Sequence, residues 1–328
     1  MPHTVSIIIP CYNAERFIET GIKSIYEQDY PNMELIIVND GSTDHSEDII
    51  LPWKDKFAQR GFTLKYFRQE NQGQAAATGY ALKHVTGAYL TLLDADDFFL
   101  PGSIRKRVEF LDEHPDFAAV RSNGWMLRNQ EKTLFITSDI EKETTDIFHA
   151  LFFESVNNWA GSYMVRTDIL FAFYPDRNIY PSRFGQNMQI LLPVAYKRKF
   201  GFIDEPLMVY VLHENSHSQA ASPEEQWEKD DRNFYGYFDI YRHMIDSIVQ
   251  DEAEHRVYEN RINSWLHRHE CDRAVRTNDK KALRNHFEAL RSTGYATLND
   301  KIAFYSVLNP IKALAYRIIR RLKMRNGI

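Results

Sequence analysis

The segment Val5–Pro10 reads VSIIIP, apolar at nearly every position and short enough to be a single strand. Such a run has no polar face to show to water, so it fits a strand covered on both sides. That requirement narrows the fold to a layered one, and the residues that follow repeat it. Glu34–Val38 (ELIIV), the stretch LKYFRQ from Leu64 and Ala88–Leu93 (AYLTLL) are further strand-length runs. Between them the apolar spacing becomes helical: Phe17, Ile18, Ile22, Ile25 and Tyr26 form one stripe, with Asn13 placed to cap it. Helices are also predicted over Ser46–Gln59 and Gln74–His84. Alternation of this kind predicts an α/β fold, a mostly parallel sheet flanked by helices. Ligands of such sheets sit beyond the carboxyl ends of the strands. The loops Pro10–Asn13, Asn39–Asp44, Asn71–Gly73 and Asp94–Asp97 all fall there.

From about Ala118 to His217 the pattern is mixed. Short strands are expected near Ala118–Arg121, Gly161–Val165 and Phe202–Ile203, and a helix over Asn187–Lys197. After Pro223 helical periodicity continues to about Leu308 without strand signals, which predicts a C-terminal α-helical region. The composition, 44% hydrophobic and 26% charged, is globular, and a net charge of -5 gives no general attraction to nucleic acid. Cys11 and Cys271 have no CxxC or Cys/His spacing, so a reduced setting without disulfide staples is expected. The N-terminus lacks the shape of a signal peptide, and no run approaches the ~18 apolar residues of a membrane span. The expectation is a cytoplasmic protein, at most peripheral on the inner face of the membrane.

Asp94-Ala95-Asp96-Asp97 follows an apolar strand directly. Carboxylates so close repel unless a cation or hydrogen bonds compensate them. Mg²⁺ or Mn²⁺ takes oxygen ligands and bridges to phosphates, so a strand-end DxD suits a metal holding a diphosphate. A solvated acidic turn is the plainer alternative. Asp40, in Asn39–Asp44 (NDGSTD), can accept from a nucleobase N–H or a ribose hydroxyl, or can simply make an Asx turn. Asn71-Gln72-Gly73 precedes an Ala-rich helix whose start suits an anion, or else only packs tightly. Neither GxGxxG nor GxxxxGK[ST] is present, which removes support for the common dinucleotide and P-loop readings.

The series SIIIPCYNAERFIETGIKSIYEQDYPNMELIIVNDGSTD, followed by ENQGQAAATGYALKHVTGAYLTLLDADD, resembles a family 2 glycosyltransferase of the GT-A fold over about residues 4–120. The resemblance implies a metal-dependent transferase that uses a nucleotide-sugar, most simply a uridine diphosphate sugar. It implies a glycosyltransferase domain over residues 1–218, with a nucleotide-binding half at about 1–120 and an acceptor half at about 121–218. The helical region 219–308 and a basic helix 309–328 would follow. By position, Pro10, Tyr12 and Asn13 would line the nucleotide and Asp40 would meet the base. Gly73 and Ala77 would lie near the diphosphate, Asp94 near the ribose, and Asp96 would ligate the metal. A weaker resemblance runs to about Ser218 and places His213 facing the diphosphate or metal, or merely satisfied by a backbone carbonyl. The family pattern has Arg and Asn just after Ala77, where this chain has Thr78 and Gly79.

The larger departure is on the acceptor side. Gln186 and Asn187 stand where relatives carry a Glu-Asp pair whose Asp is the general base, and an amide does not take up a proton at neutral pH. The base is therefore unassigned, with Glu154, Asp168 and Asp176 the nearest carboxylates in sequence. The chemistry implied is inverting transfer to a hydroxyl of a glycan, lipid-linked or protein acceptor, with Asp96, Gln186 and Asn187 as its catalytic residues. A non-catalytic nucleotide-sugar-binding relative and a sugar-1-phosphate nucleotidyltransferase are the alternatives. Finally, Asn309–Ile328 (NPIKALAYRIIRRLKMRNGI) sets an apolar stripe among six basic residues, the pattern of a helix lying on an anionic membrane surface or packed on the protein itself.

Overall fold

The computed structural model describes residues 2–152, 156–213, 222–309, 311 and 314. The chain forms two compact units, Met1–Ile240 and Tyr241–Ile328. The first opens with β1 (Val5–Cys11), α1 (Ile18–Tyr26), β2 (Met33–Asp40), α2 (Ser46–Ile50), α3 (Trp53–Gln59), β3 (Thr63–Gln69), α4 (Gln74–Leu82) and β4 (Tyr89–Leu92). β1, β2 and β4 are buried at every position, the two-sided cover that their unbroken apolar runs require. The helix expected over 46–59 is two helices, because Pro52 brings no N–H to continue the ladder. Asn13 does not cap α1. Phe17 holds that position, and Asn13 adopts a left-handed backbone (φ 48°) upstream.

β5 (Phe98–Phe99), α5 (Ser103–Glu113), β6 (Phe117–Arg128), β7 (Glu131–Leu134), α6 (Asp139–Glu143), α7 (Ile147–Phe152), β8 (Tyr163–Arg166), α8 (Thr167–Phe173), α9 (Gln186–Ala195) and β9 (Lys199–Leu212) continue the unit, and α10 (Pro223–Ile248) follows. Among the described residues one sheet takes the order β3-β2-β1-β4-β8-β6-β9-β5, with β7 added to β6. Pairing is parallel from β3 to β4 and again between β6 and β9. It is antiparallel where β8 meets β4 and β6, and where β5 meets β9. The sheet is therefore mixed. The continuous parallel run is its first half, where a helix joins each of β1, β2 and β3 to the next strand, and β6 with β9 is a second, separate parallel pair.

The core of this unit packs Ile18, Ile22 and Ile25 of α1 and Trp53 and Phe57 of α3 against Val5, Ile7, Ile9, Leu35 and Ile37. The other ends of β1 and β2 are pinned by a buried polar knot. Glu34 accepts from Ser6 Oγ (2.5 Å), Thr86 N (2.7 Å) and Lys65 Nζ (2.7 Å).

In the second unit α11 (Glu252–Arg276), α12 (Lys280–Ser292) and α13 (Leu298–Leu308) pack around Leu283, Phe287 and Leu290. Phe287 stacks on Phe304 at 3.9 Å, and Arg268 grips Asp300 with two hydrogen bonds of 2.8 and 3.0 Å. Asp300 also closes a capping box with Thr297 at the start of α13. Glu154, the segment 214–218 and nearly all of the basic stretch 309–328 lie outside the described residues.

Candidate active site

The four loops expected at the carboxyl edge do meet there, and hydrogen bonds between them fix their shape. Asn13 Oδ1 accepts from Thr43 N (2.8 Å), while its own N–H donates to Ser42 Oγ (3.0 Å). Ala14 and Glu15 donate to Ser46 Oγ and Asp44 Oδ2, each at 2.9 Å. Tyr12 projects from this braced loop, 41% exposed, while Pro10 is buried in β1. Asp40, at the end of β2, is buried. Its Oδ1 accepts from Gln69 Nε2 (2.7 Å) and Gln72 N (2.9 Å), and its Oδ2 from Gly73 N (2.7 Å). The carboxylate therefore organises the 69–73 loop, a use that its position in the sequence does not reveal.

Gly73 caps α4 with φ +96°, a conformation that L side chains rarely adopt. A Cβ there would also stand 2.8 Å from Cα of Arg183, whose Nη2 donates to Asn71 Oδ1 (2.6 Å). Ala77 is fully buried one turn on. Gly79 lies under Ile179, where a Cβ would meet Cγ1 at 2.9 Å. Thus the small residue in place of the family's Asn makes room for the segment that carries Arg183.

Asp94, Asp96 and Asp97 follow β4. Asp94 Oδ1 accepts from Gln74 Nε2 (2.5 Å), which ties the acidic loop to the start of α4. Asp97 is buried, and its Oδ1 accepts from Val211 N (2.9 Å) near the end of β9. Burial first, then the charge of Asp96, lifts the Asp94 carboxyl to about 7, and burial with both neighbours lifts Asp97 well above the carboxylate range. Tyr210, adjacent to Val211, is pushed up to about 12 by burial and by the three carboxylates. His213, just beyond β9, stacks on Phe17 at 4.0 Å. Among the described residues, no three His, Cys, Asp or Glu side chains are gathered as a ready-made metal cage.

On the other side α9 starts after Gly185, in a left-handed conformation (φ +73°). Gln186 is buried and Asn187 is half-buried beside it. Tyr163 OH donates to Asn187 Oδ1 at 2.7 Å. Burial and the charge of Asp94 keep the Tyr163 phenol protonated, so it stays a donor to the amide oxygen and holds the side chain in place. Asp168 does not reach this edge. Its neighbour Thr167 bonds Gly87 O and Ala88 O at the start of β4, the opposite end from the acidic loop. Asp176 precedes Arg177, which donates to Val85 O, again at the far end. Gln74 and Tyr163 thus join the cluster although no motif in the sequence marks them.

A sequence profile described as Glycosyl transferase family 2 matches residues 6–171. The minor teichoic acid biosynthesis protein GgaB of Bacillus subtilis (strain 168) is 29% identical over 264 residues, covering 76% of this chain and 27% of its own length. The chain therefore spans well under two thirds of that relative. The crystal structure of S. aureus TarS 1–349 in complex with UDP-GlcNAc superposes with a TM-score of 0.63 at 18% identity, over 99% of this chain and 92% of that one. The mannosyltransferase PcManGT from Pyrobaculum calidifontis, in complex with GDP-Man and Mn²⁺, gives 0.53 at 16% identity, over 98% of this chain and 87% of that one. At these identities the two structures speak for the fold alone.

Proposed function

Because the chain belongs to glycosyl transferase family 2, we propose that it moves a sugar from a nucleotide diphosphate donor to an acceptor hydroxyl with inversion. The observation that carries this is the acidic loop. Asp94, Asp96 and Asp97 sit at the strand ends with Gln74 bonded to Asp94 and Val211 to Asp97, and burial and mutual repulsion burden the negative charge of Asp94 and Asp97. Such a set of hard oxygen donors fits a divalent cation, Mn²⁺ or Mg²⁺, that completes its coordination on a phosphate. Asp96 would hold it, together with His213, two residues past Val211. When bound, such an ion supplies Lewis-acid stabilisation to the leaving diphosphate. The UDP-GlcNAc in TarS supports a uridine donor, and the Mn²⁺ in PcManGT supports the metal.

In this reading Tyr12, Pro10 and the braced Asn13 loop line the nucleotide. Asp40 shapes the Gly73 turn beneath it, close to Ala77, and Asp94 faces the ribose. Gln186 and Asn187 orient the acceptor, with the Asn187 amide held in place by the Tyr163 hydroxyl on its oxygen. The relation to GgaB supports an acceptor in surface polysaccharide synthesis, glycan or lipid-linked. The basic stripe of Asn309–Ile328 supports attachment to an anionic membrane face, whereas no helix among the described residues is long and apolar enough to cross a membrane.

A screen of uridine and guanosine diphosphate sugars with Mn²⁺ tests the reading through the product released. Nucleoside diphosphate is expected, and pyrophosphate would indicate a nucleotidyltransferase instead. Asp96→Asn is expected to lose metal-dependent donor binding and nearly all turnover. Wild-type turnover in that variant, or in excess EDTA, would overturn the metal assignment. One observation favours a second reading, a binding relative without turnover: no carboxylate stands at 186 or 187, and Asp168 and Asp176 lie at the wrong end of the sheet. Tight donor binding without release of nucleoside diphosphate, across the acceptor classes tried, would select it.

A further inference from the structure

Beside the acidic loop the first unit presents aromatic rings at the margin of its core, where Trp159 and Tyr210 are only partly covered. Trp159 and Tyr210 lie parallel, with centroids 5.4 Å apart and planes 4° apart, and both are half-buried. Tyr210 is one residue from Val211, whose N–H reaches Asp97, so the stack begins where the carboxylates end. Tyr237 is 43% exposed and packs against Phe184, two residues ahead of Gln186. Asn158 Nδ2 lies 3.9 Å from Met188 Sδ, which brings the Trp159 loop to the start of α9 as well.

The backing of these rings fixes their position. Phe135 packs edge-on behind Trp159 at 3.8 Å, in space that exists because residue 124 is glycine, where a Cβ would meet the Phe135 ring at 2.7 Å. The turn after Trp159 is closed by Ser162, whose N–H and Oγ both donate to Trp159 O (3.1 and 2.6 Å), and by Gly161 at φ +83°. Arg107, wholly buried, donates through Nη2 to Gly161 O (2.6 Å) and Ser122 Oγ (2.8 Å). Its Nε and Nη1 have no hydrogen-bond partner among the described residues. Burying a guanidinium without a carboxylate is costly, and what this one holds is the turn that presents Trp159.

We propose that Trp159, Tyr210 and Tyr237 form the acceptor subsite, and that it takes the apolar face of a neutral pyranose ring in preference to an anionic polyol phosphate. The proposal rests on the transferase reading above, since it assigns the other substrate of that site. Flat aromatic walls with a few placed amides are how proteins bind ligands that carry both apolar and polar faces, and a pyranose carries both. The ring C–H face would lie on the aromatics, while Asn158, Gln186 and Asn187 meet hydroxyls. A phosphodiester chain would instead approach three acidic side chains, and their sum with a donor diphosphate and one divalent cation stays negative.

Saturation-transfer NMR on the full chain, with uridine diphosphate and Mg²⁺ present, tests this. The probes are methyl pyranosides of glucose, galactose, mannose and N-acetylglucosamine, against glycerol 3-phosphate and ribitol 5-phosphate. At least one pyranoside is expected to receive saturation at its ring C–H protons, and the polyol phosphates none. Trp159→Ala and Tyr237→Ala are each expected to weaken the pyranoside about ten-fold while uridine signals persist, with Trp159→Phe recovering part of the loss. No pyranoside signal in the wild type, a stronger polyol phosphate signal, or unchanged pyranoside binding in both alanine variants would overturn the proposal. Uridine signals missing from the wild type, with the pyranoside pattern intact, would instead sink the donor reading and leave the subsite standing.

Discussion

Asn187 shows how one hydrogen bond decides what a residue can do. Its Oδ1 receives the Tyr163 hydroxyl, which fixes the amide plane and leaves both amide N–H groups and one oxygen lone pair to meet an acceptor. Asn187→Ala is expected to lower kcat about ten-fold with donor affinity nearly unchanged, because this amide serves the acceptor side of the site. Asn187→Asp would keep the Tyr163 bond and add a proton acceptor. If the missing base limits turnover, kcat rises toward the roughly 10²–10⁴-fold a general base contributes. Steady-state kinetics against both substrates separates these outcomes, and an equal rise in donor KM for Asn187→Ala would place the residue elsewhere. Such a role is half legible in the sequence. The amide at 187 is plain there, but Tyr163 lies far from it along the chain and carries no motif. Asp40 is the same case, since its partners Gln69, Gln72 and Gly73 arrive from the next strand and loop.

At the scale of elements, β1, β2 and β4 are readable because burial on both faces leaves an unbroken apolar run. β6 and β9 are only partly readable. Their pairing slips between Phe117 and Ala119 and twice more between Ser122 and Trp125, so the alternation that marks a strand is broken along much of their length. The α4 start depends on Gly73, and Gly73→Ala combines a left-handed backbone with a collision against Arg183. A loss of about 1–3 kcal/mol of stability is expected, with at least ten-fold weaker nucleotide binding, measured by denaturant titration and calorimetry. The knot at the other end of the strands gives a pH signature. Burial alone would raise the Glu34 pKa, but hydrogen bonds from Lys65, Ser6 and Thr86 outweigh it and leave the pKa below its ordinary value. Stability from this group is therefore complete above the ordinary glutamate range and is lost as pH falls through the lowered pKa. Glu34→Gln should cost about 1–3 kcal/mol at pH 7 and flatten the acid limb of stability against pH. An unchanged acid limb would show that other carboxylates set it.

For the whole molecule, the basic stretch Asn309–Ile328 makes the largest-scale prediction. Each Lys or Arg near an anionic surface contributes about 1 kcal/mol, so the stretch can act despite a net charge of -5. Flotation with anionic liposomes at low salt is expected for the full chain and not for a version ending at Leu308. Equal flotation of the two would remove the stretch as the anchor. The acidic loop is translated before β9, yet Phe98 and Phe99 pair with Val209 and Met208, Leu100 N–H donates to Leu207 O, and Asp97 is held by Val211 N. At synthesis rates of about 5–20 residues per second, the nascent chain carries its carboxylates for roughly 5–20 s before the strand that fixes them leaves the ribosome. The protein therefore cannot assemble its reactive edge co-translationally from the segments before β9 alone, and a chain stalled before residue 199 would expose that edge unfinished.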